Sequence, residues 1–180
     1  MAKERSKVIV IDASVARAAG PEKSVHPTSK MCRDFLISVR AICHRIAWTP
    51  DLSDEWRKHM SGFFSQWLVS MYARKKVVKV ALQDISEITD KILQTTVDAK
   101  SQHAIEKDLL LLRAALAADC RVVSLDEKIR HLFHLASNDV GEIREVIWIN
   151  PTNAEIDHIQ WLEDGAPANP TNTLGRKKQI

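Results

Sequence analysis

Two kinds of apolar run alternate along the chain. Short, mostly β-branched runs occur at 7–12 (KVIVID), 46–49 (IAWT), 121–125 (RVVSL) and 145–150 (EVIWIN). Apolar on both faces, they fit strands of a parallel sheet covered on both sides. Between them apolar residues recur at helical spacing. Met31, Phe35, Val39 and Ile42 mark a helix in 29–45, and a further helical stretch runs from Asp51 to about Arg74 with a break at Gly62. Ile85, Ile88 and Ile92 give the buried stripe of another helix, opened by a capping box of Asp84 and Glu87. Asp51 or Ser53 caps the helix after the second strand. Thr152 with Glu155 forms a second capping box, opening a helix that runs to Gly165. Residues 77–80 read as a short strand or a linker, and 100–103 as a loop.

The stretch 108–126, DLLLLRAALAADCRVVSLD, organises the rest. Asp108 opens a helix, Leu109 to Ala118, that is apolar nearly all round. Asp119-Cys120 turns the chain into a short strand, and Asp126 closes it. A helix feeding a parallel strand is half of an α/β unit, and sites in open α/β sheets form at the carboxyl ends of strands. Asp126 falls there, and Asp108, one helix length back, can face the same end. The whole pattern predicts an α/β fold with a central, mostly parallel sheet between helical layers. Strand 7–12 is central, flanked by 46–49 and 121–125, with 145–150 outside the latter.

At 180 residues the chain is one domain by size. We assign 1–164 to it and read 165–180, rich in Pro, Asn and Thr and then basic, as a disordered tail. Arg176, Lys177 and Lys178 account for the net charge of +3, so overall charge is no argument for nucleic acid. No apolar stretch approaches the ~18 residues that span a bilayer. The charged start MAKERSK is unlike a signal peptide. Three cysteines (Cys32, Cys43, Cys120) without metal-like spacing read as reduced thiols in a cytoplasm. His131 and His134 lack the partners of a zinc site and read as helix surface.

Parallel sheets often bind nucleotides through a glycine-rich first loop. Here that turn reads IDASVARAAG, with neither GxGxxG nor GxxxxGK[ST]. Acids stand at the strand ends instead: Asp12, Glu55 and Asp126, joined by Asp108. Gathered carboxylates repel one another unless cations lie between them. Mg or Mn prefers such oxygen donors and can neutralise charge developing on a phosphodiester.

This constellation resembles the PIN domain family. The resemblance rests on IDAS with Asp12 and Ser14, Glu55 after the second strand, Asp108 opening a helix, and SLD with Ser124 and Asp126, and it covers most of 7–150. It implies a three-layer α/β/α fold and Mg- or Mn-dependent endonucleolytic cleavage of single-stranded RNA. It also implies frequent homodimers and, for toxin members, an antitoxin protein as partner. Asp12, Glu55, Asp108 and Asp126 would then be the catalytic and metal-binding acids, supported by Ser14 and Ser124. The chain departs from the toxin members in its extra helix between 56 and 100 and in its C-terminal helix and tail.

Each acid has a plainer reading when taken singly. Asp12 and Asp108 can be helix caps, Glu55 a first-turn charge, and Asp126 a turn residue beside Glu127. Glu106 and Glu127 are near enough in sequence to substitute as ligands. Arg57, Lys58, Lys128 and Arg130 are candidate phosphate contacts. Arg74-Lys75-Lys76 reads as a solvated face. The five tryptophans read as core, with Trp56 and Trp67 also open to an interface role. Two other functions compete with the nuclease: a non-catalytic binding module on the same fold, and an aspartyl-phosphate phosphotransfer domain.

Overall fold

A computed structural model describes residues 6–176. Five strands, β1 (Val8–Ile11), β2 (Arg45–Trp48), β3 (Val77–Lys79), β4 (Arg121–Val123) and β5 (Ile147–Ile149), form one sheet in the order β3-β2-β1-β4-β5, with every pairing parallel. The central place of β1 and the order of its neighbours agree with the sequence pattern. Residues 77–79, open between strand and linker, are an edge strand beside β2.

Helices cover both faces, giving a three-layer α/β/α arrangement. α1 (Ala13–Ala18) and α2 (Pro27–Ala41) pack together, with α4 (Gly62–Ala73) and α8 (His158–Glu163) against α2. In the other layer α6 (Ala99–Leu116) lies on β1, β2 and β4, beside α5 (Ser86–Gln94) and α7 (Glu127–Ala136). α3 (Pro50–His59) touches both α1 and α6, so it bridges the two layers. The core runs through the sheet: Ile9, Val10, Ile11, Ile46, Ala47, Val122, Val123 and Ile147 are fully buried. Among the described residues no helix is long and apolar enough to cross a membrane.

Several local expectations are corrected. α6 begins at Ala99 and not at Asp108, so 100–103 are helix. Asp98 supplies the cap, its Oδ1 accepting from the Ser101 amide at 2.8 Å, and no Gly or Pro interrupts the helix from there to Leu116. α3 is capped by Thr49, whose Oγ1 accepts from the Leu52 amide at 3.1 Å, and not by Asp51 or Ser53; Pro50 occupies the first turn. The break before α4 falls at Met60-Ser61, where the Ser61 hydroxyl accepts from the Phe64 amide. α8 starts only at His158, because Asn150 and Asn153 hold the backbone of 152–155 in side-chain-capped turns.

The disordered-tail reading fails for 165–176. Leu174 is 1% exposed, Thr173 bridges Ile147 antiparallel, and the Leu174 amide donates to the Val146 carbonyl at 2.9 Å. The polar composition hid one buried leucine and a backbone that finds partners at the open side of β5. Lys177 and Lys178 lie outside the described residues. Trp56 and Trp67 are core, each 1% exposed, which removes the interface reading.

Candidate functional site

Asp12 directly follows β1 and precedes α1, but its side chain does not cap that helix. Its Oδ2 accepts instead from two hydroxyls, Ser14 Oγ at 2.5 Å and Ser124 Oγ at 2.7 Å. Each hydroxyl also accepts: Ser14 from the Leu125 amide at 3.0 Å, Ser124 from the Asp126 amide at 3.0 Å. With their protons spent on Asp12, the two hydroxyl oxygens lie 3.5 Å apart without bonding each other. This clasp ties the carboxyl end of β1 to the turn after β4. It also leaves Asp12 Oδ1 without a hydrogen bond among the described residues.

Asp126, whose plainer reading was a turn residue beside Glu127, caps α7: Oδ1 accepts from the Ile129 amide at 2.9 Å. Its side chain is exposed. Asp108 is neither a cap nor a helix start. It sits half-buried in the middle of α6, on a helix that lies across β1 and β4. Burial is the main cause that pushes its carboxyl up to about 6, followed by the charges of Asp12 and Asp126, and with Glu55 adding to them; Lys107 opposes. Asp108 is therefore close enough to feel all three other candidate acids, while neither Glu106 nor Glu127 contributes.

Glu55 is the sixth residue of α3, past the first turn where a helix dipole would favour it. Its Oε1 accepts from Lys58 Nζ at 2.8 Å, and His59 Nε2 stands 3.7 Å from Oε2. Trp56, the next residue, anchors α3 to the sheet: its indole N–H donates to the Ile11 carbonyl at 2.9 Å, one residue before Asp12. Trp56 then packs at a tilt against Phe64, and Phe64 against Trp67, at ring separations of 5.7 and 5.2 Å. Nothing in the spacing of the acids pointed to this anchor; its only signal was an apolar ring beside Glu55 on an otherwise polar turn.

The four acids thus converge from four elements, but loosely. Among the described residues no three Asp, Glu, His or Cys side chains are gathered closely enough to hold a metal ion by themselves. The donors suit a hard cation in kind, since Asp12, Asp108 and Asp126 offer carboxylate oxygens, with the His59 imidazole standing beside Glu55. They also fit Mg in number, because Mg keeps several waters and takes only one or two carboxylates from a protein.

The supporting cast changes more. Glu127 is no substitute ligand: Oε1 accepts from Asn150 Nδ2 at 2.8 Å and Oε2 faces Arg130 at 3.3 Å. Arg130 is 8% exposed and so held, which removes it from the candidate phosphate contacts. Arg57 and Lys58 remain exposed but are engaged by Asp54 and Glu55. Lys128 is exposed at the first turn of α7 and keeps its candidacy. Glu106 faces a groove of about 580 Å³ between α3, α5 and α6, shared with Asp51, Asp54, Glu55 and Arg113. His131 is exposed, and His134 is held at Nδ1 by the Leu174 carbonyl at 2.6 Å. All three cysteines are free.

No family model, no curated protein and no solved structure matches this chain.

Proposed function

We propose that the chain is a divalent-metal-dependent endoribonuclease of the PIN type, cutting single-stranded RNA with Asp12, Glu55, Asp108 and Asp126. One observation carries this reading. A half-buried aspartate in the middle of α6 has three further carboxylates near enough to help push its carboxyl up to about 6. Neither capping nor packing calls for Asp108 at that position, and the mutual repulsion costs stability, a pattern expected of a site and not of a scaffold.

The residues divide the work. Asp12, fixed by the Ser14 and Ser124 hydroxyls, presents Oδ1 in one orientation. Asp126, fixed through Oδ1 on the Ile129 amide, is exposed, which leaves its second oxygen for the metal site. Asp108 brings negative charge from the helical layer, and Glu55 from α3. Asp12 and Asp126, with Asp108 and Glu55 direct or through water, would hold a Mg or Mn ion, which would supply a lowered water pKa and offset charge developing on the phosphate. Ser124 is fully buried, and both hydroxyl oxygens already accept a backbone amide, so neither is offered as the nucleophile and water takes that role. Lys128 remains the phosphate contact of choice at the edge. A homodimer and an antitoxin partner belong to the same reading.

The test is cleavage of an end-labelled panel of single-stranded RNAs in Mn and in EDTA. Internal cuts in Mn that vanish in EDTA support the nuclease. A second reading, a non-catalytic RNA-binding module, is favoured by the looseness of the acid cluster; RNA bound but left intact across the panel would select it.

A further inference from the structure

A second charged surface lies away from the acids. Residues 56–83 contain six Lys and Arg (Arg57, Lys58, Arg74, Lys75, Lys76 and Lys79) and no Asp or Glu. Since the whole chain carries only +3, this stretch holds a local excess that bulk charge conceals. Arg57 and Lys58 are tied to acids of α3, and Lys76 Nζ to the Arg40 and Ile42 carbonyls at the end of α2. Arg74, Lys75 and Lys79 are exposed and pair with no acid among the described residues. They flank β3, the edge strand.

Aromatic surface is interleaved with that charge. Tyr72, on the last turn of α4, is 51% exposed. Trp48, partly buried against the core at the end of β2, pairs in register with Lys79, whose Nζ sits 5.9 Å from the indole centroid. Trp48, Tyr72, Val77 and Lys79 line an open hollow of about 270 Å³. The opposite edge of the sheet, at β5, is occupied by the chain's own 173–175 segment, whereas nothing among the described residues pairs with the outer side of β3.

We propose that this β3 edge is an anchoring surface for single-stranded RNA, with a base stacked on Tyr72 and phosphates on Arg74, Lys75 and Lys79. Unpaired cations beside exposed ring faces are what sequence-tolerant single-strand binding uses: cations follow the backbone and aromatics take the bases. The inference rests on the nuclease reading for its choice of RNA as the polyanion. It also reassigns Arg74 and Lys75 from a solvated face to a contact surface.

The experiment is fluorescence anisotropy of a labelled oligouridylate in EDTA, over a salt series, with wild type, Tyr72→Ala, Tyr72→Phe and the triple variant Arg74→Gln/Lys75→Gln/Lys79→Gln. All four positions are exposed, and a thermal melt confirms the fold. Tyr72→Ala should weaken binding roughly tenfold while Tyr72→Phe stays near wild type, since only the ring is needed. The triple variant should weaken binding and flatten the salt slope by about 2, near 0.7 for each single-strand phosphate contact. Unchanged affinity and slope in the triple variant overturn the proposal. So does equal binding of a poly-glutamate peptide that survives Tyr72→Ala, which would mark a site for acidic protein. Because divalent metal is absent, the outcomes separate from the nuclease reading. Binding lost in the variants without any wild-type cleavage in Mn sinks only the nuclease; cleavage in Mn with binding indifferent to the variants sinks only this surface.

Discussion

Ser124 donates to Asp12 at 2.7 Å, joining residues 112 positions apart at adjacent strand ends. Ser124 is fully buried and also accepts from the Asp126 amide, so one hydroxyl sets the orientation of one acid and the backbone of another.

Ser124→Ala therefore removes two bonds at once, leaving the part-buried Asp126 amide without that acceptor and Asp12 Oδ2 with Ser14 alone. We expect a loss of about 1–3 kcal/mol in stability, read by urea unfolding. RNA cleavage should fall further than the unfolded fraction explains. Ser124→Thr, which keeps the hydroxyl, should recover part of both.

Asp108 carries the clearest pH signature. Its folded carboxyl lies near 6, above its ordinary 3.8. A raised value means the native state binds the proton more tightly than the unfolded state, so this group stabilises when protonated and loses that contribution as pH rises through about 6. Asp108→Asn should accordingly be more stable than wild type at pH 7.5. Full burial would give ~3 kcal/mol for such a shift; the half-exposed side chain is screened, and about 1 kcal/mol is expected. The advantage should vanish by pH 4. Equal stability at pH 7.5 would show that burial and the neighbouring charges do not raise the Asp108 carboxyl as described.

How much of this was legible in the sequence depends on the length of chain that decides each feature. The strand runs VIVI and RVV show their burial locally, so the sheet and its order could be read. Asp12 and Asp126 could be read because each closely follows a strand. Asp108 feels the charges of Asp12, Asp126 and Glu55, but its helix starts nine residues earlier than Asp108 suggested, after a cap, Asp98, that has little apolar patterning beyond it. Arg130 misled because a charged residue inside α7 gives no local sign that Glu127 and its neighbours will bury it. Polar segments such as 165–176 hide their order for the same reason, since one leucine and a few backbone bonds decide it.

That segment yields a further test. Leu174 is fully packed, and its carbonyl accepts from His134 and Ser137. Leu174→Ala should cost about 2–5 kcal/mol and expose the end of the chain to limited proteolysis. A variant as stable and as resistant as wild type would restore the disordered reading.

His44 gives the opposite pH sign from Asp108. It is fully buried, accepts the Lys7 amide at Nδ1 (3.1 Å) and bonds the Leu162 carbonyl through Nε2 (2.7 Å). Burial lowers its pKa from 6.5, and Lys76, Arg121 and Lys7 lower it further. A depressed value contributes stability above pH 6.5 that is lost as pH falls through the folded pKa. Wild type should weaken on acidification below pH 6.5, and His44→Gln, less stable at pH 7.5, should weaken less steeply. Parallel slopes in a pH series of urea melts would contradict this.

The central claim is that the converging acids hold a divalent cation, and its most direct test is calorimetric titration of Mn into wild type and Asp12→Asn at pH 7.5. Asparagine keeps the shape at 12 and can still accept from Ser14 and Ser124, so the fold should persist while one charge leaves the site. We predict Mn binding to wild type and a loss of affinity of about tenfold or more in Asp12→Asn; equal affinity in both, or no binding to wild type, would contradict the account.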